Sequence, residues 1–272
     1  MAPPMIPWTT DQDIYENVLD DNPQLLGFFS DGDSWFAYPS YMEKSIISDL
    51  ANTNYQKAYW LRWEKNGERI DDMMNGAFAP ELRDLIADED VHMNAILVSG
   101  GGNDIVLNGF DSLLNTYQPG MTALDCINQA SWNARLGSIK DAYAQLIALR
   151  DSHRPEVPIF THAYDFAIPT GKPIHFLFWK IGAWIKPGEV KKGITDLVLQ
   201  QQIITYMLTA FANMQADLES EHKDIVYIRT QGALDPDTDW ANEIHPTGAG
   251  FEKMAAKFQA ALRSVFPELP TS

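Results

Sequence analysis

The sequence predicts an α/β fold, a three-layer α/β/α sandwich around a mainly parallel sheet of five strands. Two observations lead to this prediction. Short apolar runs bounded by turn or polar residues are typical of buried strands, and they occur at 24–30, 55–61, 93–99, 157–162 and 224–228. Helical patterns separate these runs, and strands that alternate with helices form parallel sheets covered on both faces.

The helices between the strands have signals of their own. Residues Ser40-Tyr41-Met42-Glu43 match a capping box that opens a helix through about Ala51. Residues 133–152 and 197–219 carry long helical patterns rich in Leu, Ile, Ala and Gln. The last helix presents one apolar face at helical spacing, formed by Phe251, Met254, Ala255, Phe258, Leu262 and Val265.

The sequence predicts one domain with an insertion. Its 272 residues, 45% hydrophobic and 21% charged, are enough for a single α/β domain with a sizeable core. We expect residues 1–23 to form an N-terminal extension and residues 24–272 to form the domain. We expect an apolar insertion or lid within it, at about 166–196.

The charge balance limits the partners. The chain has 20 Lys and Arg against 37 Asp and Glu, a net charge of −17, so it would be repelled by nucleic acid and by anionic membranes. It has no apolar run of about 18 residues, so no stable membrane anchor is expected. Residues 1–10 lack a signal-peptide pattern, which indicates a cytoplasmic protein on the sequence shown, or a secreted or periplasmic one if a leader was removed.

A serine follows the first predicted strand. Gly32, Asp33 and Ser34 come directly after the apolar run 24–30, and sites in parallel sheets form at the carboxyl ends of the strands. Ser34 is therefore a candidate nucleophile, although a serine in a turn is more often structural.

The second and third strands end in candidate donors. Gly67 in "WEKNGERIDDM" is expected to open a helix and to offer its N–H there, although a plain turn at Asn66-Gly67 fits equally well. Gly100 to Gly102 would permit close approach of a ligand, and Asn103 adds an amide with two N–H donors. A dinucleotide-binding loop is the rival interpretation, but these glycines are contiguous and follow the third strand.

A histidine precedes the last helix. His245 lies in "DWANEIHPTGAGF", with Thr247 as the expected N-cap of that helix. His162, at the end of the fourth strand, is the reserve candidate. The lone Cys126 and the absence of H-E-x-x-H or paired-cysteine spacing argue against a zinc site, so no metal is expected.

Together these segments resemble a known family. "GDSW" at 32–35, Gly67 in "NGERIDDM", "GGND" at 101–104 and "NEIHPT" at 242–247 are similar, in order, to the four blocks of the SGNH or GDSL hydrolases. The resemblance covers roughly residues 24–266 and implies a flavodoxin-like sheet. It implies a serine esterase or lipase without a cofactor, acting on a small-molecule or lipid ester, with Ser34 as nucleophile and His245 as base. The implied oxyanion donors are Ser34, Gly67 and Asn103.

The sequence departs from that family at the acid. The family pattern is Asp-x-x-His, but Asn242 stands at the aspartate position before His245. An amide oxygen can orient the imidazole but supplies no charge to stabilise the imidazolium. We therefore expect Asn242 to orient His245, with Asp239 or Glu243 as alternative acids.

An aromatic stretch follows the fourth strand. Residues 166–187, "FAIPTGKPIHFLFWKIGAWIKP", would either form a lid or wall for an ester or pack into the core. The candidate substrate-binding residues are Trp35, Phe176, Phe178, Trp179 and Trp184.

Two other functions remain open at this point. Asn242 would suit a weakly active or inactive relative that binds lipid or carbohydrate. A flavodoxin-like binder of phosphate or nucleotide would use the serine-rich first turn, but the net charge of −17 disfavours it. The resemblance fits an esterase, a lysophospholipase and a thioesterase alike.

Overall fold

The structure is a computed structural model that describes residues 6–38, 44–107, 109–176 and 179–271, with only the backbone described for 175, 176, 179 and 180. The strands are β1 (Trp8–Thr9), β2 (Leu26–Gly32), β3 (Ala58–Arg62), β4 (Ala95–Ser99), β5 (Ile159–His162), β6 (Ile174–Phe176), β7 (Trp179–Ile181) and β8 (Ile225–Ile228). The helices are α1 (Gln12–Asp21), α2 (Ser34–Ala37), α3 (Ile46–Thr53), α4 (Ile70–Asn75), α5 (Ala79–Ala87), α6 (Gly102–Val106), α7 (Ala123–Cys126), α8 (Gln129–His153), α9 (Lys186–Lys191), α10 (Leu197–Glu221) and α11 (Gly248–Val265), with a 3-10 turn at Phe110–Leu113.

The main sheet has the strand order β1-β3-β2-β4-β5-β8, and every neighbouring pair in it is parallel. Five of these strands coincide with the predicted apolar runs, so the predicted α/β sandwich is confirmed. The sheet has six strands rather than five because β1 pairs with β3, Trp8 lying beside Trp60. A strand of two residues is too short for an alternating pattern to reveal it.

Two sets of helices cover the sheet, one made of α3 and α11 and the other containing α4, α5, α8 and α10. Among the described residues, no helix is long and apolar enough to span a membrane. The predicted capping box at Ser40–Glu43 lies outside the described residues, and α3 begins at Ile46 behind the N-cap Ser45. The division into residues 1–23 and 24–272 stays a prediction, although β1 and α1 both come from the first segment.

The carboxyl edge of the sheet positions the candidate site. Helix α2 starts at Ser34 directly behind β2, and α6 starts at Gly102 behind β4. The predicted insertion contains the antiparallel hairpin β6–β7, followed by α9. Helix α11 begins behind Thr247, whose side chain accepts a hydrogen bond from the N–H of Gly250 as the sequence predicts.

Candidate active site

Ser34 is held at the start of a short helix by the residues before it. Gly32 passes so close to β4 that a side chain there would lie 2.6 Å from the carbonyl oxygen of Ser99, which only glycine tolerates. Asp33 is the N-cap of α2, and its carboxylate accepts the N–H of Trp35 at 3.0 Å. The tight turn and the cap together fix the backbone on both sides of Ser34.

Ser34, His245 and Asn242 form a hydrogen-bonded chain. The Nε2 atom of His245 lies 2.7 Å from Ser34 Oγ, and its Nδ1 atom lies 3.0 Å from Asn242 Oδ1. The same Oδ1 accepts the backbone N–H groups of Ile244 and His245, both at 3.1 Å, so the amide presents its oxygen to the ring. Nδ1 therefore carries the proton, and Nε2 is free to accept the hydroxyl proton of Ser34.

The imidazole of His245 lies in apolar surroundings. Its centroid is 4.7 Å from that of the Tyr38 ring and 5.5 Å from that of the Trp184 ring. Burial disfavours the imidazolium and lowers the pKa of His245 to about 3. The ring is therefore neutral, the form that a general base requires, over a wide range of pH.

Neither alternative acid contacts His245. The Asp239 carboxylate pairs with Lys253 Nζ at 2.5 Å and accepts the N–H of Asp235. The buried Glu243 carboxylate accepts backbone N–H groups of the insertion, including those of Gly171 at 2.8 Å and Trp184 at 2.6 Å. Both carboxylates are directed to other partners, so the proposal that either one orients His245 is wrong.

Asn103 lies with Ser34 in the lining of one cleft. Its side-chain nitrogen donates to the carbonyl oxygen of Glu68 at 2.9 Å, which fixes the orientation of the amide. An amide nitrogen carries two hydrogens, and this bond uses one.

The structure places Gly67 in an exposed turn, at φ +82°, ahead of α4. The helix begins only at Ile70, and the Asp104 carboxylate binds the N–H groups of Ile70 and Asp71 at 3.0 and 3.3 Å. The expectation that Gly67 opens the helix is therefore wrong, because the helix begins three residues later, at Ile70, where the Asp104 carboxylate caps its first N–H groups. A role for the Gly67 N–H as a donor stays a prediction.

A buried network lies behind Ser34. Tyr164 Oη donates to Asp33 Oδ2 at 2.5 Å and accepts the N–H of Gly102 at 3.0 Å, so one hydroxyl links the turn before Ser34 to the glycine before Asn103. Burial raises the pKa of Asp33 to about 6, although the bond from Tyr164 opposes this rise. Neither Asp33 nor Tyr164 is among the predicted site residues, and the only signal in the sequence is the position of Asp33 as a possible helix cap.

The reserve histidine belongs to that network. His162 Nε2 lies 2.8 Å from Ser99 Oγ, which donates to Asp33 Oδ1 at 2.8 Å. The ring is completely buried, and burial lowers the pKa of His162 to about 3. His162 is therefore hydrogen-bonded to Ser99 rather than to Ser34. Through Ser99 it supports Asp33, in the turn before Ser34.

The cleft beside Ser34 is mainly apolar, and its empty space measures about 580 Å³ when the part open to solvent is included. Its apolar lining includes Ile105, Phe110, Ile185, Ile204, Met207 and Leu208. The polar residues of the lining are Asp33, Ser34, Asn103, Tyr164 and Asp165. Such a cleft suits a ligand with one polar group attached to an apolar body.

Of the five predicted substrate-binding aromatic residues, the structure describes the side chains of Trp35 and Trp184. Trp35 lines the cleft, and its indole nitrogen donates to the carbonyl oxygen of Ile244 at 2.9 Å. Trp184 lies against His245. Phe178 lies outside the described residues, as do the side chains of Phe176 and Trp179. Among the residues that are described, no group of three or more His, Cys, Asp or Glu is arranged to hold a metal ion.

Comparison with known proteins places this fold. No protein-family model matches the sequence, and no curated protein is similar to it. Solved structures do match. The lipase Lip_vut3 from a goat rumen metagenome is 15% identical with a TM-score of 0.54, over 87% of this chain and 97% of the lipase. A family 3 carbohydrate esterase from Clostridium thermocellum is 13% identical with a TM-score of 0.51, over 90% and 98% of the two chains. The chain has the SGNH/GDSL hydrolase fold.

Proposed function

We propose that the protein is a serine hydrolase that cleaves carboxylic esters, with Ser34 as nucleophile and His245 as general base. The observation that carries the proposal is the 2.7 Å contact between His245 Nε2 and Ser34 Oγ, with Ser34 in the lining of a mainly apolar cleft. A hydroxyl paired with a neutral imidazole that a third group orients is the arrangement of an activated serine. The similarity to a lipase and an esterase agrees with this reaction.

The reaction proceeds in two acyl transfers. Ser34 Oγ attacks the ester carbonyl carbon while its proton passes to His245 Nε2. Collapse of the tetrahedral intermediate breaks the bond to the alcohol, which leaves with that proton. A water molecule then gives its proton to His245 and attacks the acyl-serine, and the acid is released as Ser34 recovers its proton.

Asn103 supports the negative charge on the carbonyl oxygen. Its amide is fixed by Glu68 at one hydrogen, which suits the other to a developing oxyanion. The backbone N–H of Ser34 at the start of α2 is the second donor that we propose, and Gly67 remains the predicted third. Each such donor typically contributes about 3 kcal/mol to transition-state stabilisation.

Asn242 orients the base in this proposal. Its Oδ1 selects the tautomer with the proton on Nδ1 but adds no charge to stabilise the imidazolium. This feature favours the second candidate function, a weakly active or inactive protein that binds lipid or carbohydrate in the same cleft. The two candidates differ in how readily Ser34 reacts.

The test combines turnover with covalent labelling. We expect the purified chain to hydrolyse p-nitrophenyl esters and to be labelled by a fluorophosphonate, and Ser34→Ala to lose both. Ser264→Ala, at an exposed position of α11, is the matched control and should behave as the wild type. Absence of both turnover and labelling in the folded wild type would favour the binding protein, and an active Ser34→Ala variant would refute the role of Ser34.

A further inference from the structure

The two ends of the insertion converge on one carboxylate. We call residues 168–172 and 184–186, which flank the hairpin β6–β7, the insertion neck. Glu243 Oε1 accepts the N–H groups of Gly171 at 2.8 Å and Lys186 at 3.1 Å. Glu243 Oε2 accepts those of Trp184 at 2.6 Å and Ile185 at 2.9 Å. One side chain therefore joins the two halves of the neck.

The backbone of Glu243 binds the neck as well. Its carbonyl oxygen accepts the N–H of Ile168 at 3.1 Å, and its own N–H donates to the carbonyl oxygen of Lys172 at 3.3 Å. The side chain is completely buried, so water cannot replace a lost bond without entering the interior. The four hydrogen bonds from backbone N–H groups to this buried carboxylate are strong, because a carboxylate is a charged acceptor.

The anchored segment faces the candidate active site. Glu243 directly follows Asn242 in the loop that carries His245. Trp184, whose N–H binds Glu243, places its ring edge-on against the His245 imidazole, with 5.5 Å between centroids. Ile185, the next residue bound by Glu243, lines the apolar cleft. The neck therefore supplies Ile185 to the lining of the cleft and Trp184 to the surroundings of His245.

We propose that Glu243 is a positioning residue that fixes the insertion neck against the His245 loop, and that it thereby sets the wall of the cleft that receives the apolar part of the ester. The effect on esters rests on the proposed function. The anchoring of the neck does not depend on any reaction.

Glu243→Gln is the informative variant. Glutamine keeps the size of the side chain, but its NH₂ group would face two backbone donors where Oε1 or Oε2 now accepts them. Asp239→Asn is the matched control, because it neutralises another buried carboxylate of the same loop that binds Lys253 instead of the neck. Glu243→Asp, which keeps the charge, is the variant for rescue.

The first measurement needs no activity. Between Lys172 and Pro187, Lys180 is the only residue after which trypsin can cut, since Lys172 and Lys186 precede proline. We expect Glu243→Gln to be cut at Lys180 roughly tenfold faster or more than the wild type, since a hydrogen bond to a charged group typically changes an equilibrium by about that factor. Hydrogen exchange should rise in peptides covering 168–186. Both readouts should be normal in Asp239→Asn, and Glu243→Asp should restore part of the protection.

The second measurement separates the neck from the chemistry. We expect Glu243→Gln to raise KM for p-nitrophenyl octanoate roughly tenfold while kcat for p-nitrophenyl acetate stays within about threefold of the wild type, since the longer acyl chain alone depends on the wall. Wild-type cleavage and exchange rates in folded Glu243→Gln would overturn the proposal, as would equal effects in Asp239→Asn. An inactive wild type with the expected proteolysis would refute the esterase function and leave the anchor supported. If Glu243→Gln does not fold, the exchange of 168–186 in Glu243→Asp decides.

Discussion

Replacing Asn242 by aspartate puts a carboxylate where an amide oxygen now faces the imidazole of His245. Hydrogen bonds that would stabilise a carboxylate are already present at this position. Asn242 Oδ1 accepts hydrogen bonds from two backbone N–H groups at 3.1 Å and from Nδ1–H of the His245 ring at 3.0 Å. At a separation of about 4 Å and an effective dielectric constant of about 20, a carboxylate and an imidazolium attract each other by about 4 kcal/mol. That energy corresponds to a rise of roughly three units in the pKa of His245, which burial now holds at about 3.

We expect Asn242→Asp to raise kcat/KM for p-nitrophenyl acetate at neutral pH by between about tenfold and 1,000-fold, since desolvation of the new carboxylate offsets part of the gain. The opposite change in a serine protease lowers kcat about 10⁴-fold. The acid limb of the pH profile should move from below about pH 4 in the wild type to near pH 6 in the variant. Asn128→Asp is the control, because it adds the same charge at the N-cap of α8, remote in sequence from Ser34, Asn242 and His245. It should change neither kcat/KM nor the acid limb of the pH profile.

Unchanged kcat/KM together with an unchanged acid limb in folded Asn242→Asp would refute this reasoning. The result would mean that no positive charge develops on His245 in the rate-limiting transition state. A variant that loses activity but shows the upward shift of the acid limb would confirm the electrostatic effect and contradict the expected benefit to catalysis.

Two more predictions concern buried groups. Tyr164→Phe removes the hydroxyl that joins Asp33 to Gly102, so we expect kcat to fall roughly tenfold with little change in KM, measured by steady-state kinetics. Burial and the nearby Glu243 raise the pKa of Glu189 from 4.5 to about 8, so its ionisation lowers stability as pH rises through that range. Urea unfolding should show Glu189→Gln gaining on the wild type by up to about 1.4 kcal/mol per pH unit between pH 5 and pH 8. A constant difference would contradict the buried neutral carboxyl.

The meeting of Ser34 and His245 was predictable although 211 residues separate them. Both follow turn-forming segments at the carboxyl side of predicted strands, and a parallel sheet brings such ends to one edge. The resemblance to the SGNH or GDSL hydrolases indicated Asn242 as the partner of His245, and the structure places these two side chains 3.0 Å apart.

Other features had no local signal. The partners of Glu243 are backbone N–H groups of a segment far along the chain, and backbone groups leave no trace in residue identity. The hydrogen bond from Tyr164 to Asp33 could not be predicted either, since the two residues lie 131 positions apart in the sequence. The expected helix start at Gly67 was wrong for a related reason. The carboxylate that caps the first N–H group of α4 belongs to Asp104, which lies beyond the next strand.

Two pairs of buried groups contribute to the stability of the fold with opposite dependence on pH. His162 and His245 are held neutral with pKa values of about 3, so the unfolded chain binds more protons at these sites, and their contribution to stability is lost as pH falls below about 6.5. Asp33 and Glu189 have raised pKa values of about 6 and about 8, so the folded chain holds the extra protons, and stability is lost as pH rises toward those values. Between about pH 4.5 and 6 the two pairs nearly cancel, each group contributing up to about 1.4 kcal/mol per pH unit. Above about pH 6.5 only Glu189 of these four still titrates, so the summed contribution of the four groups falls as pH rises, while His245 stays the neutral base that Ser34 requires.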